Sequence, residues 1–184
     1  RPYESDRIQV QALVVQNYFP WYSHHAARRS LGEWLAAEDV PGITGIDTRF
    51  LTRRLRERGT MPGWLYPFSM DAHEARGQAR GVDMREELFR IVAPPEPIRY
   101  AGGALSILVI DTGAKDNIVR SLLERGVSVV RAPWHADLSA LAKQADGILI
   151  GNGPGDPKDL MPLVGQLRGL LAEYHKPIFG VCLG

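Results

Sequence analysis

The chain has 184 residues, 45% of them apolar and 23% charged, with a net charge of +1. That length can bury one good core or two modest ones, and the near-neutral balance gives no electrostatic case for nucleic acid or an anionic membrane surface. No apolar run nears the roughly 18 residues that span a bilayer; the start, Arg1-Pro2-Tyr3-Glu4-Ser5-Asp6, has no signal-peptide pattern; and the single cysteine, Cys182, allows neither an internal disulfide nor a multi-cysteine metal site, as expected of a reducing, cytoplasmic setting.

In chain order, Val10 to Val15 reads as a strand. Ser30-Leu31-Gly32-Glu33 matches a capping box and opens a helix through Trp34 and Leu35. Asp47 or Thr48 caps a second helix ending near Gly59, and two shorter helices follow from Asp71 and from Asp83. Three prolines and two glycines across residues 93–104 read as a linker. The expected organisation is therefore a mixed α/β segment over 1–92, a linker over 93–104 and a second domain over 105–184. The first segment is too open at its start to be expected to form a whole domain, and with no initial methionine the true start is expected upstream.

After the linker the pattern is regular. Leu105 to Ile110 is a short apolar run, read as a buried strand. Ile118, Val119, Leu122 and Leu123 follow helical spacing up to Gly126, and Val127 to Val130 is the next strand. Asp137 caps a helix carrying Leu138 and Leu141; Gly147 to Ile150 is a third strand. Leu160, Leu163, Val164, Leu167, Leu170 and Leu171 form one helical stripe, with Pro162 tolerated in its first turn. A fourth strand, Pro177 to Val181, runs into Cys182. Apolar strands alternating with helices predict an α/β fold with a doubly wound parallel sheet, covered on both faces.

Two motifs carry chemistry. Gly180-Val181-Cys182-Leu183-Gly184 is a G-x-C-x-G form of the nucleophile elbow, a sharp turn that lifts a nucleophile off a strand end. Buried cysteines are commonly plain core residues, but the flanking glycines and the strand-end position favour a nucleophile. Gly151-Asn152-Gly153-Pro154-Gly155-Asp156-Pro157 directly follows the third strand. The segment is turn-prone in any context. At a strand's carboxyl end it faces the same crevice as Cys182, and its unobstructed N–H groups suit an oxyanion.

No histidine is a good partner for Cys182 on the sequence. His175 precedes the last strand, so a five-residue strand, roughly 16 Å, separates the two. His135 follows the second strand with nothing to orient it, and His24, His25 and His73 have no metal-ligand spacing; all five are expected at the surface. Arg49, Arg53, Arg54, Arg56 and Arg58 read as a solvated basic helix face with some partner contact. Asp111-Thr112-Gly113-Ala114-Lys115 lacks a nucleotide-binding glycine pattern.

Together these residues resemble the small, glutamine-hydrolysing subunit of carbamoyl-phosphate synthases. The cysteine elbow is similar to the nucleophile motif of class I glutamine amidotransferases, and Asn152 to Pro157 is similar to their oxyanion loop. Gly42-Ile43-Thr44-Gly45-Ile46-Asp47-Thr48-Arg49, the following Leu51 to Gly59, Ala12 to Val15 and Asp111 to Ile118 narrow the resemblance to this subunit. The resemblance implies the flavodoxin-like form of the doubly wound sheet, here as the first half of an amidotransferase domain. It implies that Cys182 attacks the glutamine side-chain amide, that Gly153 and Leu183 donate backbone N–H groups to the oxyanion, and that Gly155 lines the glutamine site. Ammonia would pass to a large subunit, or a fused synthetase region, using ATP, Mg²⁺ and bicarbonate to make carbamoyl phosphate for arginine or pyrimidine synthesis. No cofactor or metal is expected in this chain. The family's histidine and glutamate triad partners lie well after the cysteine, so the chain is read as a fragment lacking both ends and without useful glutaminase activity alone. Alternatives are the glutaminase of another amidotransferase, a non-catalytic docking subunit, and a flavodoxin-like binding module, which leaves the elbow unexplained.

Overall fold

The computed structural model describes residues 3–79 and 85–184. Contacts divide them into two units, one of residues 5–79 and one of residues 85–184 with Tyr3 and Glu4. Asp83, read as a helix start, lies outside the described residues. No helix among the described residues is long and apolar enough to cross a membrane.

In the first unit, local signals produce local structure. Helix α1 (Leu31–Ala37) opens on a full capping box: the Ser30 hydroxyl accepts from Glu33 N at 3.1 Å, and the Glu33 carboxylate accepts from Ser30 N at 2.7 Å. Helix α2 (Thr48–Arg58) is capped by Asp47, whose carboxylate accepts from Phe50 N at 2.9 Å, and it stops at Gly59 with φ of +79°. Asp71 accepts from the N–H groups of His73 and Glu74 at the start of α3 (Ala72–Ala79). The strand expected over Val10–Val15 shrinks to β1 (Leu13–Val14). It pairs in parallel with β2 (Gly42–Ile43), a two-residue strand with no alternating pattern of its own. Only Ser30 and Ala75 are buried here, while Phe19, Trp21, Tyr22, Phe50, Trp64, Tyr66 and Phe68 are exposed. Among the described residues of this unit, Ala75 is the one buried apolar side chain.

The second unit is a five-stranded sheet with a strand order that follows from alternate βαβ crossovers. Helix α4 (Arg85–Val92) leads to β3 (Ile98–Tyr100), then β4 (Ser106–Asp111), α5 (Asp116–Leu123), β5 (Ser128–Pro133), α6 (Leu138–Ala142) and β6 (Gly147–Ile150). A 3₁₀ turn (Pro157–Leu160) precedes α7 (Met161–Glu173), and β7 (Ile178–Gly180) ends the series. The order is β3-β5-β4-β6-β7, parallel throughout except for β3, which pairs antiparallel with β5. The four parallel strands match the sequence reading. The stretch read as a linker contains β3, and the contact division falls between residues 79 and 85 instead. Proline and glycine around β3 mark its ends, not a free connection.

Alternation along each strand feeds two cores. Leu108, Ile110, Val130, Ala132 and Ile148 pack on one face beneath Phe89 of α4, Leu138 of α6, and Leu163 and Leu170 of α7. Val109, Val119 and Val129 form the smaller core on the other face, under α5. Gln166 of α7 ties this layer together, accepting from Leu138 N at 3.2 Å and donating to Trp134 O at 3.3 Å. Lys115 gives α5 no side-chain cap. Glu4 supplies one instead: its carbonyl accepts from Asp116 N at 3.1 Å and its carboxylate from Asn117 N at 3.0 Å.

At the C-terminal end of the central strand, Asp111 is fully buried. One carboxylate oxygen accepts from Gly113 N and Ala114 N, both at 2.7 Å. The other takes the Arg131 Nε–H, and Arg131 also reaches Asp116 at 2.8 Å and Ala114 O at 3.0 Å. Burial works against the guanidinium charge, but the Asp111 and Asp116 carboxylates outweigh it and raise the Arg131 pKa above its ordinary range. Removing one partner of such a pair strands a buried charge. Arg131→Met is therefore expected to lower the unfolding free energy by about 3–5 kcal/mol, read by urea denaturation of the full-length protein. A loss below about 1 kcal/mol, the level of a surface pair, would show that the pair is not structural.

Candidate active site

The chain leaves β4 toward β5 on one side and returns past it to β6 and β7 on the other. The carboxyl ends of β4 and β6 thus flank a topological switch point, where open α/β sheets bind ligands. Three loops gather there: 112–115 after β4, 151–156 after β6, and 181–184 after β7.

The last loop is an elbow in its backbone as well as its sequence. Val181 N donates to Ile150 O at 3.0 Å, which keeps the chain on the sheet one residue past β7. Gly184 N then donates back to Val181 O at 3.1 Å and closes the turn. Between them Cys182 sits at φ of +58° and is exposed. An L-residue with a side chain is disfavoured there by roughly 1–2 kcal/mol. The flanking glycines are required by space. A Cβ on Gly180 would lie 2.4 Å from the Gly184 carbonyl carbon, and one on Gly184 would lie 2.4 Å from Ile150 O.

The glycine loop meets the elbow. A Cβ on Gly153 would lie 2.4 Å from Thr112 O and 3.0 Å from Leu183 Cδ2, so Gly153 is pressed between the loop after β4 and the residue following the cysteine. Among the described residues, neither the Gly153 N–H nor the Leu183 N–H donates to a protein acceptor. Gly155 has φ of +79°, with Phe89 of α4 against its Cα. The structure therefore brings Gly153 and Leu183 together beside the Cys182 turn and places Gly155 on the same loop. An exposed thiol on a strained turn, with unspent N–H donors alongside, can attack a carbonyl carbon and hold the oxyanion that forms.

The histidines stay apart. His24, His25, His73, His135 and His175 are all exposed, and none among the described residues hydrogen-bonds Cys182. His135 packs edge-on against Trp134. Sequence reasoning missed Phe89, Thr112 and the side chain of Asn152 as parts of the site. Asp111-Thr112-Gly113 was visible as a loop on the correct rim, but nothing local shows that Thr112 packs on Gly153. Phe89 reaches the loop only through tertiary packing.

Comparison with known proteins gives the class first. Residues 108–184 match the family model described as glutamine amidotransferase class-I. Residues 1–65 match that of the carbamoyl-phosphate synthase small chain, CPSase domain. The chain belongs to the carbamoyl-phosphate synthase small-chain family. It is 42% identical, over its whole length and 45% of the relative's, to the carbamoyl phosphate synthase arginine-specific small chain of Schizosaccharomyces pombe. It is 36% identical, over 99% of its length and 50% of the relative's, to the carbamoyl phosphate synthase small chain of Pyrococcus furiosus. The same 99% is 36% identical to 9% of the multifunctional protein pyrABCN of Emericella nidulans. The chain thus spans about half the length of the small-chain relatives.

The left-handed backbone at Cys182 makes a stability prediction. Cys182→Gly is expected to be more stable than Cys182→Ala by about 1 kcal/mol, since only glycine escapes the steric cost of that conformation. Denaturant midpoints of the two variants in the full-length protein check it. Equal midpoints would mean that the turn carries no strain.

Proposed function

We propose that this chain carries the glutamine-hydrolysing site of a carbamoyl-phosphate synthase. The observation that supports it most is the Cys182 turn, with the N–H groups of Gly153 and Leu183, which have no acceptor among the described residues, on packed neighbouring loops. The Cys182 thiolate attacks the side-chain amide carbon of glutamine. The carbonyl oxygen becomes an oxyanion, held by the Gly153 and Leu183 N–H groups, with Gly155 lining the glutamine pocket. The carbon–nitrogen bond then breaks, and nitrogen leaves as ammonia after taking a proton. Water attacks the remaining γ-glutamyl thioester, releasing glutamate and restoring the thiol.

The strain at Cys182 has a use in this scheme. It fixes the sulfur above the strand end before substrate arrives, so less freedom is lost at the reacting centre. Glutamine carries its α-ammonium and α-carboxylate at the far end from the reacting amide, so its recognition needs charged and polar groups there, and the resemblance implies a histidine and a glutamate that activate the thiol. The ammonia would be consumed by a large subunit or fused synthetase region using ATP, Mg²⁺ and bicarbonate. The names of the small-chain relatives support that acceptor over other amidotransferase acceptors.

The test uses the full-length protein with its synthetase partner. Cys182→Ala is expected to reduce glutamine-dependent carbamoyl phosphate formation by at least about 10³-fold, while synthesis from added ammonia continues. A glutamine-analogue electrophile should label Cys182 and nothing else in residues 1–184. Retention of glutamine-dependent synthesis in Cys182→Ala would sink the proposal. Residues 1–184 alone are expected to show no measurable glutaminase turnover.

A further inference from the structure

We infer that Asn152 and Thr112 are positioning residues that clamp the loop after β4 onto the glycine loop and so set the direction of the Gly153 N–H. This rests on the oxyanion role proposed for Gly153. The glycine loop has few anchors of its own. Gly151 N is tied to Ile110 O at 2.9 Å, and Asp156 caps the 3₁₀ turn through Lys158 N at 2.9 Å. Between those points no backbone N–H of residues 152–155 donates to a protein acceptor among the described residues. Glycine at 153 and 155 leaves that span conformationally permissive. A permissive loop is a poor oxyanion site, because donors stabilise developing charge only when aimed in advance.

Two contacts supply the missing constraint. The Asn152 side-chain oxygen accepts from Lys115 N at 3.1 Å, and the buried Thr112 hydroxyl donates to Asn152 O at 3.3 Å. Both join the peptide units directly before Gly153 to one loop. That loop is itself rigid, since Asp111 and Arg131 hold its next backbone groups. With Thr112 O pressed against the Gly153 Cα, the peptide that carries the Gly153 N–H is fixed on two sides. Asn152 and Thr112 need not touch substrate; they act through the Gly153 peptide.

A donor used in the transition state affects turnover and not ground-state binding. In the full-length protein with its synthetase partner, Asn152→Ala is expected to lower kcat for glutamine hydrolysis about 10-fold or more, with KM changed less than about 3-fold. Asn152→Asp, which keeps the acceptor for Lys115 N, should recover part of the loss. Alkylation of Cys182 by iodoacetamide forms no oxyanion and should keep its wild-type rate, a readout that general damage to the site would move. Should Asn152→Ala fail to fold, the donor can be removed instead. Lys115 has φ of −65°, which proline adopts. Lys115→Pro should fall below Lys115→Ala by the same factor as Asn152→Ala falls below wild type. Wild-type kcat in Asn152→Ala, or loss of alkylation in parallel with kcat, overturns the clamp while leaving the glutaminase reading intact. Glutamine hydrolysis that survives Cys182→Ala overturns both.

Discussion

The ion pair between Asp111 and Arg131 sits where the central strand of the second unit becomes a loop, and much of the rim is built outward from it. A buried carboxylate is costly unless its lone pairs are met. Here they are met by two loop N–H groups and a guanidinium. Those bonds dictate how the chain turns after β4. Arg131, placed by β5, then holds the Ala114 carbonyl and the first turn of α5 through Asp116. One charged pair thereby fixes the strand end, the loop and the helix start together. It does so with long-range contacts that a neutral turn could not make.

Local chemistry explains which elements were readable beforehand. The capping box at Ser30, the Asp47 and Asp137 caps, and the apolar runs of β4 to β7 each declare themselves within a few residues. Elements made by distant partners did not. β2 is two residues long and exists only against β1, and β3 is an edge strand written in the vocabulary of a turn. The N-terminal cap of α5 is a glutamate more than a hundred positions away, in a stretch with no secondary structure of its own. Period and propensity contain no information about such pairings.

The candidate site divides the same way. The cysteine elbow and the glycine loop were legible because steric demands leave glycines at fixed spacing, and the sheet topology made a shared crevice predictable. The residues that aim the loops were not legible. Thr112, Asn152 and Phe89 are ordinary residue types whose importance comes from what lies opposite them. The general division is between residues that permit a conformation, which leave a compositional trace, and residues that choose among the permitted ones, which leave none.

The close approaches at Gly153, Gly180 and Gly184 bear on how such a gene can vary. Every missense change one base away from a glycine codon adds a Cβ, and at these positions that atom meets backbone within 2.4 Å. Backbone cannot swing aside as a flexible side chain would, so none of the three codons has a neutral missense neighbour. Among lineages, the rim should therefore stand still at the level of single nucleotides.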